Sequence, residues 1–215
     1  MTNKPPTCPL CIGTRVEQIR TQDQRVYYLC QKCALIHLVS SQHPKPEDEL
    51  ARYLEHHNSL KNQGYVNFLM EAINPSLTYL QPGMKALDFG CGPTPVLSQI
   101  LKRDFGTDCE NYDPFFYPDQ PSDPYDFIFS TEAFEHFFIP GDMLDKISGM
   151  LNKGGYLCIM THLWNALENF ERWWYRRDPT HVCFYHQHTL GYICEKWMFD
   201  VRYQDHKRVF VLQKL

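Results

Sequence analysis

A glycine turn between an apolar strand and a helix, at residues 85–97, constrains the fold of this chain more than any other feature. The segment predicts a short buried strand, a tight turn at Gly90 and Gly92, and a helix. Glycines here let the backbone pass close beneath a ligand, while the helix N-terminus presents free N–H groups to it. Asp113 lies 21 residues after Gly92, where a carboxylate can accept hydrogen bonds from ribose hydroxyls. The sequence therefore predicts a nucleoside-binding βαβ unit.

The charge of the turn indicates which nucleoside it holds. A dinucleotide-binding turn would need a third glycine at position 95, where this chain has proline. Asp88, two residues before Gly90, would repel a pyrophosphate but could meet an ammonium group. S-adenosylmethionine carries both an ammonium and a sulfonium, and an acidic wall suits both cations. We therefore expect S-adenosylmethionine as the cofactor.

Several motifs, in order along the chain, resemble those of the class I S-adenosylmethionine-dependent methyltransferases. Asp88-Phe89-Gly90-Cys91-Gly92 is similar to the first motif of that family. Residues 125–137 resemble its fourth strand and the turn that follows, and residues 151–157 resemble the step into its fifth strand. Residues 178–182 resemble a segment found in one branch of the family. The resemblance implies an α/β fold with a Rossmann-like, mostly parallel, seven-stranded sheet.

The resemblance also implies which residues form the site. It places the cofactor against the first motif, the ribose-binding acid and the end of the fourth strand, which are Asp88, Phe89, Gly90, Cys91, Gly92, Asp113, Ser130, Thr131 and Glu132. His136 follows the fourth strand and His181 lies in the 178–182 segment, so we predict a catalytic or acceptor-orienting role for both. The alternative for each is a hydrogen bond that braces its own turn.

The chain departs from the family directly after Asp113. Only eleven residues separate Asp113 from Tyr125, where the family has a helix and a third strand, so we expect a shortened third-strand region. Phe115, Phe116 and Tyr117 in this segment either cover the adenine or fill an exposed edge of the sheet. The sequence leaves both roles open.

Two CxxC pairs predict a metal site ahead of this domain. Cys8 and Cys11 form the first pair, and Cys30 and Cys33 form the second after eighteen intervening residues. Each CxxC turn holds two thiolates on one side of a loop, so two turns complete a tetrahedral site of four cysteines. Such a site has no open position, and we predict a structural Zn²⁺ in a zinc-ribbon module at residues 1–45. A metal-free module or a redox pair is the alternative.

The remaining segments predict the surroundings of the site. Residues 46–215 are expected to form the methyltransferase domain, and they begin with two helices whose Tyr53, Tyr65 and Phe68 we assign to the core, with a pocket wall as the alternative. The insertion at 161–188 is rich in aromatic residues. Since ligands of open α/β sheets bind at the carboxyl ends of the strands, we expect this insertion to overhang them as an acceptor cap.

Composition and charge limit the class of partner. The chain has 215 residues and a formal net charge of −4, and residues 104–145 hold eleven acids without a Lys or Arg. No basic stripe is evident, so nucleic acid is possible but not favoured as a partner. No apolar run approaches the roughly 20 residues of a membrane span, and no signal peptide is visible. We expect a cytoplasmic protein without a membrane partner, and the oligomeric state is unknown from sequence.

Together these features predict methyl transfer from S-adenosylmethionine to a small-molecule acceptor. A four-cysteine module ahead of this fold also resembles sugar C-methyltransferases. A large-subunit ribosomal RNA guanine methyltransferase carries an N-terminal zinc module too, so one alternative is an RNA or protein methyltransferase that docks through the ribbon. A second alternative is a non-catalytic nucleoside-binding protein on the same fold. The sequence does not identify the acceptor or the methylated atom.

Overall fold

A computed structural model describes residues 6–55, 58–121 and 124–215 of the chain. Within this described part, the strands lie in two sheets. The strands are β1 (Val16–Arg20), β2 (Val26–Cys30), β3 (Ile36–Leu38), β4 (Ala86–Phe89), β5 (Cys109–Tyr112), β6 (Tyr125–Thr131), β7 (Leu151–Met160), β8 (Cys183–Phe184), β9 (Phe199–Gln204) and β10 (Val209–Lys214). The helices are α1 (Pro46–Leu54), α2 (Gln63–Ser76), α3 (Val96–Phe105), α4 (Pro140–Met150), α5 (Leu167–Phe170) and α6 (Gln187–Trp197).

The larger sheet confirms the predicted Rossmann-like, mostly parallel architecture. Its strand order is β5-β4-β6-β7-β10-β9. The pairings β5–β4, β4–β6 and β6–β7 are parallel, whereas β10 runs antiparallel to both of its neighbours. The carboxyl ends of the central strands β4 and β6 therefore lie side by side at the same end of the sheet, where ligands bind in this architecture.

The prediction of seven strands is wrong by one, since the larger sheet has six strands in the described part of the chain. The absent strand is the third of the family, which leaves β5 at the edge of the sheet. Instead, the backbones of Asp113 and Tyr117 form an isolated antiparallel bridge directly after β5. A crossover between parallel strands needs about a dozen residues, usually with a helix, and the segment between Asp113 and Tyr125 is too short to hold one.

Alternating side chains of the central strands supply the two apolar faces of the larger sheet. Leu87 and Ile128 point to one face and pack in the core that includes α4 and α6. Ala86, Phe127 and Phe129 point to the other face, against α2 and α3. Because both faces are covered, β4 is buried at every position and β6 at most of them, as expected of strands sandwiched between helices.

The smaller sheet joins the cysteine-containing module to the aromatic insertion. Its order is β1-β2-β3-β8, so residues 183–184 of the insertion add a strand to the module. Ile36 pairs with Phe184 in this register. The buried residues of the module, such as Leu10 and Tyr27, belong to the same hydrophobic cluster as Leu87 of the larger sheet. The boundary near residue 45 stays a prediction, but the parts on either side of it share one core.

We predict that truncating the Phe184 side chain of β8 destabilises the whole protein. Phe184 is fully buried and packs edge-on against Tyr27 of β2 and Phe170 of the insertion. Phe184→Ala should lower the free energy of unfolding by about 3–5 kcal/mol, the usual cost of removing a buried phenylalanine. Urea denaturation followed by tryptophan fluorescence measures this loss.

The matched control for this change is Trp174→Ala, because the Trp174 side chain is 60% exposed. It should cost about 1 kcal/mol or less. A shared core also predicts one cooperative unfolding transition. Two separate transitions, with the cysteine module melting first and Phe184→Ala affecting only that step, would contradict the shared core.

Candidate active site

A cavity of about 480 Å³ lies at the carboxyl ends of β4 and β6. Its floor contains the glycine turn and the segment after β6, and its other walls come from α1, α2 and the insertion. The site residues predicted from sequence that line it are Gly90, Cys91, Gly92, Asp113, Thr131, Glu132, His136 and His181. The remaining three, Asp88, Phe89 and Ser130, are buried behind this wall, with 2%, 2% and 0% of their surface exposed.

The glycine turn needs its glycines for two different reasons. Gly90 and Gly92 both have positive φ angles, of 83° and 68°. A Cβ atom on Gly90 would stand only 2.7 Å from Cβ of Ala133, so the close approach of the two segments excludes a side chain there. A Cβ atom on Gly92 would have no neighbour within 4 Å, so the backbone of Gly92 borders open space. The turn thus offers a bare backbone surface to a ligand.

Asp113 braces the turn from the neighbouring strand. Its Oδ2 atom accepts a hydrogen bond from the backbone N–H of Gly92, at 3.0 Å. Its Oδ1 atom accepts bonds from the N–H groups of Phe115 at 2.9 Å and Phe116 at 3.2 Å. Each carboxylate oxygen has further lone pairs, so Asp113 can hold the loop and still accept a ligand hydroxyl.

Three further acids at this end of the sheet each have a buried oxygen that lacks a partner among the described residues: Oδ1 of Asp88, Oε1 of Glu132 and Oε1 of Glu135. Burial, assisted by the charge of Asp113, raises the pKa of Asp88 to about 7. Burial, assisted by the charge of Glu135, raises the pKa of Glu132 to about 9. Glu132 also has a φ angle of 49°, a strained backbone conformation of the kind that clusters at functional sites.

His136 and His181 stand next to each other in the cavity wall, with their ring centroids 4.8 Å apart. Nδ1 of His136 lies 3.1 Å from the carbonyl oxygen of Thr180, and Nδ1 of His181 lies 2.7 Å from that of Tyr175. A carbonyl can only accept, so each Nδ1 carries the proton and each Nε2 keeps a free lone pair. Burial lowers the pKa of both imidazoles to about 4, which keeps them neutral at pH 7.

An ion pair fastens the insertion to α1 across the cavity wall. Arg52 donates from Nε and Nη2 to Oδ2 of Asp178, at 3.0 and 2.8 Å. Oδ1 of Asp178 accepts from the backbone N–H and the hydroxyl of Thr180, at 3.0 and 2.6 Å. Burial acts to raise the pKa of Asp178, but these hydrogen bonds outweigh it and hold the pKa well below its usual range. The loop that carries His181 is therefore held in place by charge-assisted bonds.

The assignment of Tyr53, Tyr65 and Phe68 to the core is wrong in part, because all three line the cavity. Tyr53 packs edge-on against the rings of His136 and Phe115, at 5.4 and 5.8 Å between centroids. An amphipathic helix shows which side chains are apolar, but it does not show that its apolar face closes a cavity. No local signal in the sequence could have made that distinction.

The four cysteines of the N-terminal module converge on one point. Their Sγ atoms lie within 4.8 Å of one another, with Cys8 and Cys33 at 3.6 Å and Cys11 and Cys30 at 3.4 Å. Sulfurs bound tetrahedrally to zinc at about 2.3 Å stand about 3.8 Å apart, so the donor set fits a Zn²⁺ ion. All four cysteines are buried.

Comparison with known proteins agrees with this geometry. A family model described as a methyltransferase domain matches residues 54–204, which is 151 of the 215 residues. The chain belongs to this methyltransferase family. The resemblance to class I S-adenosylmethionine-dependent methyltransferases is thereby confirmed. A search of curated proteins found no match to the sequence.

Solved structures show the same fold at low sequence identity. Magnesium protoporphyrin IX methyltransferase from Synechocystis, with bound S-adenosylhomocysteine, aligns with a TM-score of 0.51 and 11% identity over 79% of this chain and 94% of that chain. An O-methyltransferase family protein from Burkholderia thailandensis aligns with a TM-score of 0.52 and 12% identity over 70% of this chain and 56% of its own. Within the described residues, no helix is both long and apolar enough to cross a membrane.

The buried acids predict an unusual dependence of stability on pH. In the unfolded chain Glu132 titrates near 4.5, but in the fold it keeps its proton up to about pH 9. The folded state therefore binds more protons between these values, and the free energy of unfolding of the ligand-free protein should fall as pH rises through this range. The buried histidines act in the opposite sense below about pH 6.5, so the fall should be visible above about pH 7.

The test is urea denaturation between about pH 7 and pH 9. One such group contributes at most about 1.4 kcal/mol per pH unit, and Glu132→Gln should remove that part of the slope. Glu168→Gln, at an exposed position of α5, should leave the slope unchanged. Equal slopes for the wild-type protein and Glu132→Gln would show that Glu132 is ionised in the fold.

Proposed function

We propose that this protein transfers the methyl group of S-adenosylmethionine to a small-molecule acceptor that binds beside His136 and His181. The observation that carries the proposal is that one cavity has the glycine turn and Asp113 in one wall and the two neutral imidazoles in another. Its volume of about 480 Å³ is in the range of small-molecule sites. The proposal extends the family membership to a specific reaction on a specific class of acceptor.

The residues of the first wall fit the cofactor. The carboxylate of Asp113 can accept hydrogen bonds from ribose hydroxyls, and the open space beside Gly92 leaves room for a ligand against the backbone. The unpartnered Oε1 of Glu132, a residue of the cavity wall, suits an ammonium group or a sulfonium, while Asp88 lies buried behind the turn at the same end of the sheet. S-adenosylmethionine supplies an activated methyl group, and its sulfur keeps the electron pair of the broken C–S bond.

The protein's own contribution is to align and desolvate the acceptor. Positioning two reacting groups in a closed site can lower a barrier by several kcal/mol. The Nε2 lone pairs of His136 and His181 can accept hydrogen bonds from an acceptor hydroxyl or amine and so orient its reacting atom. Phe137 and Tyr53, which also line the cavity, exclude water from the same wall.

The surroundings of the cavity favour a small acceptor over RNA or a protein. No Lys or Arg side chain lines it among the described residues, and Arg52 beside it is paired with Asp178. The N-terminal module is committed to the fold by its strand pairing with β8, which supports a structural Zn²⁺ at the four cysteines rather than a docking role. Salt-sensitive binding of ribosomal RNA fragments at micromolar concentration would instead favour the RNA alternative.

We predict that Asp113→Ala weakens the binding of S-adenosylhomocysteine. Hydrogen bonds to a charged group contribute about 1.5–3 kcal/mol each, so the dissociation constant should rise at least tenfold. Isothermal titration calorimetry measures it directly. Asp119→Ala, an exposed acid of the same loop, is the control and should bind like the wild-type protein.

Two outcomes would count against the proposal at different levels. An unchanged affinity of Asp113→Ala would remove Asp113 from the cofactor site. Tighter binding of NAD than of S-adenosylhomocysteine by the wild-type protein would contradict methyl transfer itself.

A further inference from the structure

A second cluster of possible metal ligands lies in the cavity wall, apart from the four cysteines. Glu135, His136 and His181 each offer one ligand atom, and these atoms lie within 4.8 Å of one another. We propose that these three side chains bind a divalent first-row transition-metal ion, and that this ion holds an oxygen atom of the acceptor. The second half of the proposal rests on the proposed function, whereas the metal site itself does not.

The two histidines have the hydrogen bonds that metal-bound histidines have. In metal sites the ring nitrogen that does not bind the ion usually donates to a carbonyl or carboxylate, which fixes the tautomer and the ring orientation. The Nδ1 atoms of His136 and His181 both donate to backbone carbonyls, at 3.1 and 2.7 Å. Each Nε2 therefore keeps a lone pair free for an ion, and Nε2 of His136 lies 3.9 Å from Oε1 of Glu135. A hydrogen bond that only braced one loop would need one such histidine, whereas here two adjacent histidines both have Nδ1 bonded to a carbonyl and Nε2 free.

Glu135 supplies the third ligand through a buried oxygen that has no partner among the described residues. Glu135 is fully buried, and its Oε2 atom accepts a hydrogen bond from the hydroxyl of Thr161 at 2.8 Å. Its Oε1 atom has no hydrogen-bond partner among the described residues and lies 3.9 Å from Nε2 of His136. A buried carboxylate oxygen without a partner is costly. Two acceptor atoms that face each other need a cation between them, which is either a metal ion or a proton.

The donor set and the spacing select the kind of ion. Two imidazoles and one carboxylate suit Zn²⁺, Fe²⁺, Co²⁺ or Mn²⁺, whereas sites for Mg²⁺ and Ca²⁺ consist mainly of oxygens. Ligands about 2.1 Å from a shared ion stand about 3–3.5 Å apart, so an ion would draw Glu135 and His136 together by less than about 1 Å.

The position of the cluster gives the ion a role toward the acceptor. All three residues line the cavity, so coordination positions that the protein does not fill open onto it. A hydroxyl or enol oxygen bound there would lose its proton to water more readily, because a divalent ion acts as a Lewis acid. The oxygen would then form the new C–O bond with the methyl carbon, and the C–S electron pair would pass to the sulfur of the cofactor. The acceptor class is therefore an oxygen-bearing molecule that can coordinate a metal.

The first experiment counts metal ions in the full-length purified protein by elemental analysis, after supplementation with Zn²⁺ and gel filtration. The wild-type protein should carry two ions per chain. Glu135→Gln and His181→Ala should each reduce the count to one, while Cys30→Ser should remove the other ion. His162→Ala is the matched control, because His162 packs against the Tyr175 ring outside the cluster and does not line the cavity. It should keep both ions.

The second experiment distinguishes the two sites by spectroscopy. Co²⁺ added to protein whose cysteine site is already filled with Zn²⁺ should bind one equivalent and show ligand-field absorption without thiolate charge transfer. Loss of even an outer partner of a metal-bound histidine costs 10–100-fold in affinity, so Glu135→Gln should weaken Co²⁺ binding by more than about 100-fold. Since the wild-type titration needs no variant, poor folding of Glu135→Gln would not affect its outcome.

One ion per chain in the wild-type protein, with no binding of Co²⁺ beyond the cysteine site, would overturn the metal site and would favour a proton between Glu135 and His136. Calorimetry with S-adenosylhomocysteine separates this result from the proposed function. If the cofactor binds and the second ion does not, only the metal site is wrong. If the ion binds and the cofactor does not, the metal site stands, but its role toward a methyl acceptor is wrong together with the proposed function.

Discussion

The backbone of Val182 connects the parts of the protein that form the His136 and His181 side of the cavity. Its N–H donates to the carbonyl of Glu135 at 2.8 Å, and its carbonyl accepts from the N–H of Leu38 at 2.8 Å. The insertion is thus held between the cysteine module and the turn after β6. Because His181 directly precedes Val182, this pair of bonds sets the distance between His181 and His136. Together with the bond from Nδ1 of His136 to the carbonyl of Thr180, it holds two histidines 45 residues apart in sequence side by side.

This connection gives the cysteine module a role inside the protein. Strand β2 pairs with β3, and β3 in turn pairs with β8 of the insertion. Arg25 of the module also donates from Nη1 and Nη2 to carbonyl oxygens of residues 176–181. Arg176 of the insertion also contacts the module, since its buried guanidinium forms an ion pair with Asp23 at 2.7 Å. A forty-residue module has too small a core to be rigid alone, and four thiolates on one metal ion would compensate for that. A metal ion in the module would therefore support the cavity wall that contains His181 indirectly, through backbone pairing.

Local features of this chain could be predicted from sequence, and features that depend on distant pairing could not. The glycine turn, Asp113 and the CxxC pairs each show their chemistry within a few residues, and the structure has the turn and the converged thiols where they were expected. The shortened edge of the sheet follows from counting residues after Asp113. The addition of β8 to the module could not be foreseen, because a two-residue strand has no periodicity. The cluster of Glu135, His136 and His181 depends on that pairing and was hidden for the same reason.

One cationic ligand group could not pair with all the partnerless carboxyl oxygens around the cavity, because they lie in two places. Partnerless carboxyl oxygens belong to Asp88, Glu132 and Glu135, and no cationic side chain lines the cavity in the described part of the chain. Asp88 lies behind the glycine turn, near Asp113, and does not line the cavity. Glu135 lies beside His136, in the wall that also contains His181. A neutral acceptor would leave Oε1 of Glu135 buried without a partner, so this half of the cavity needs either a bound metal ion or a proton shared with His136.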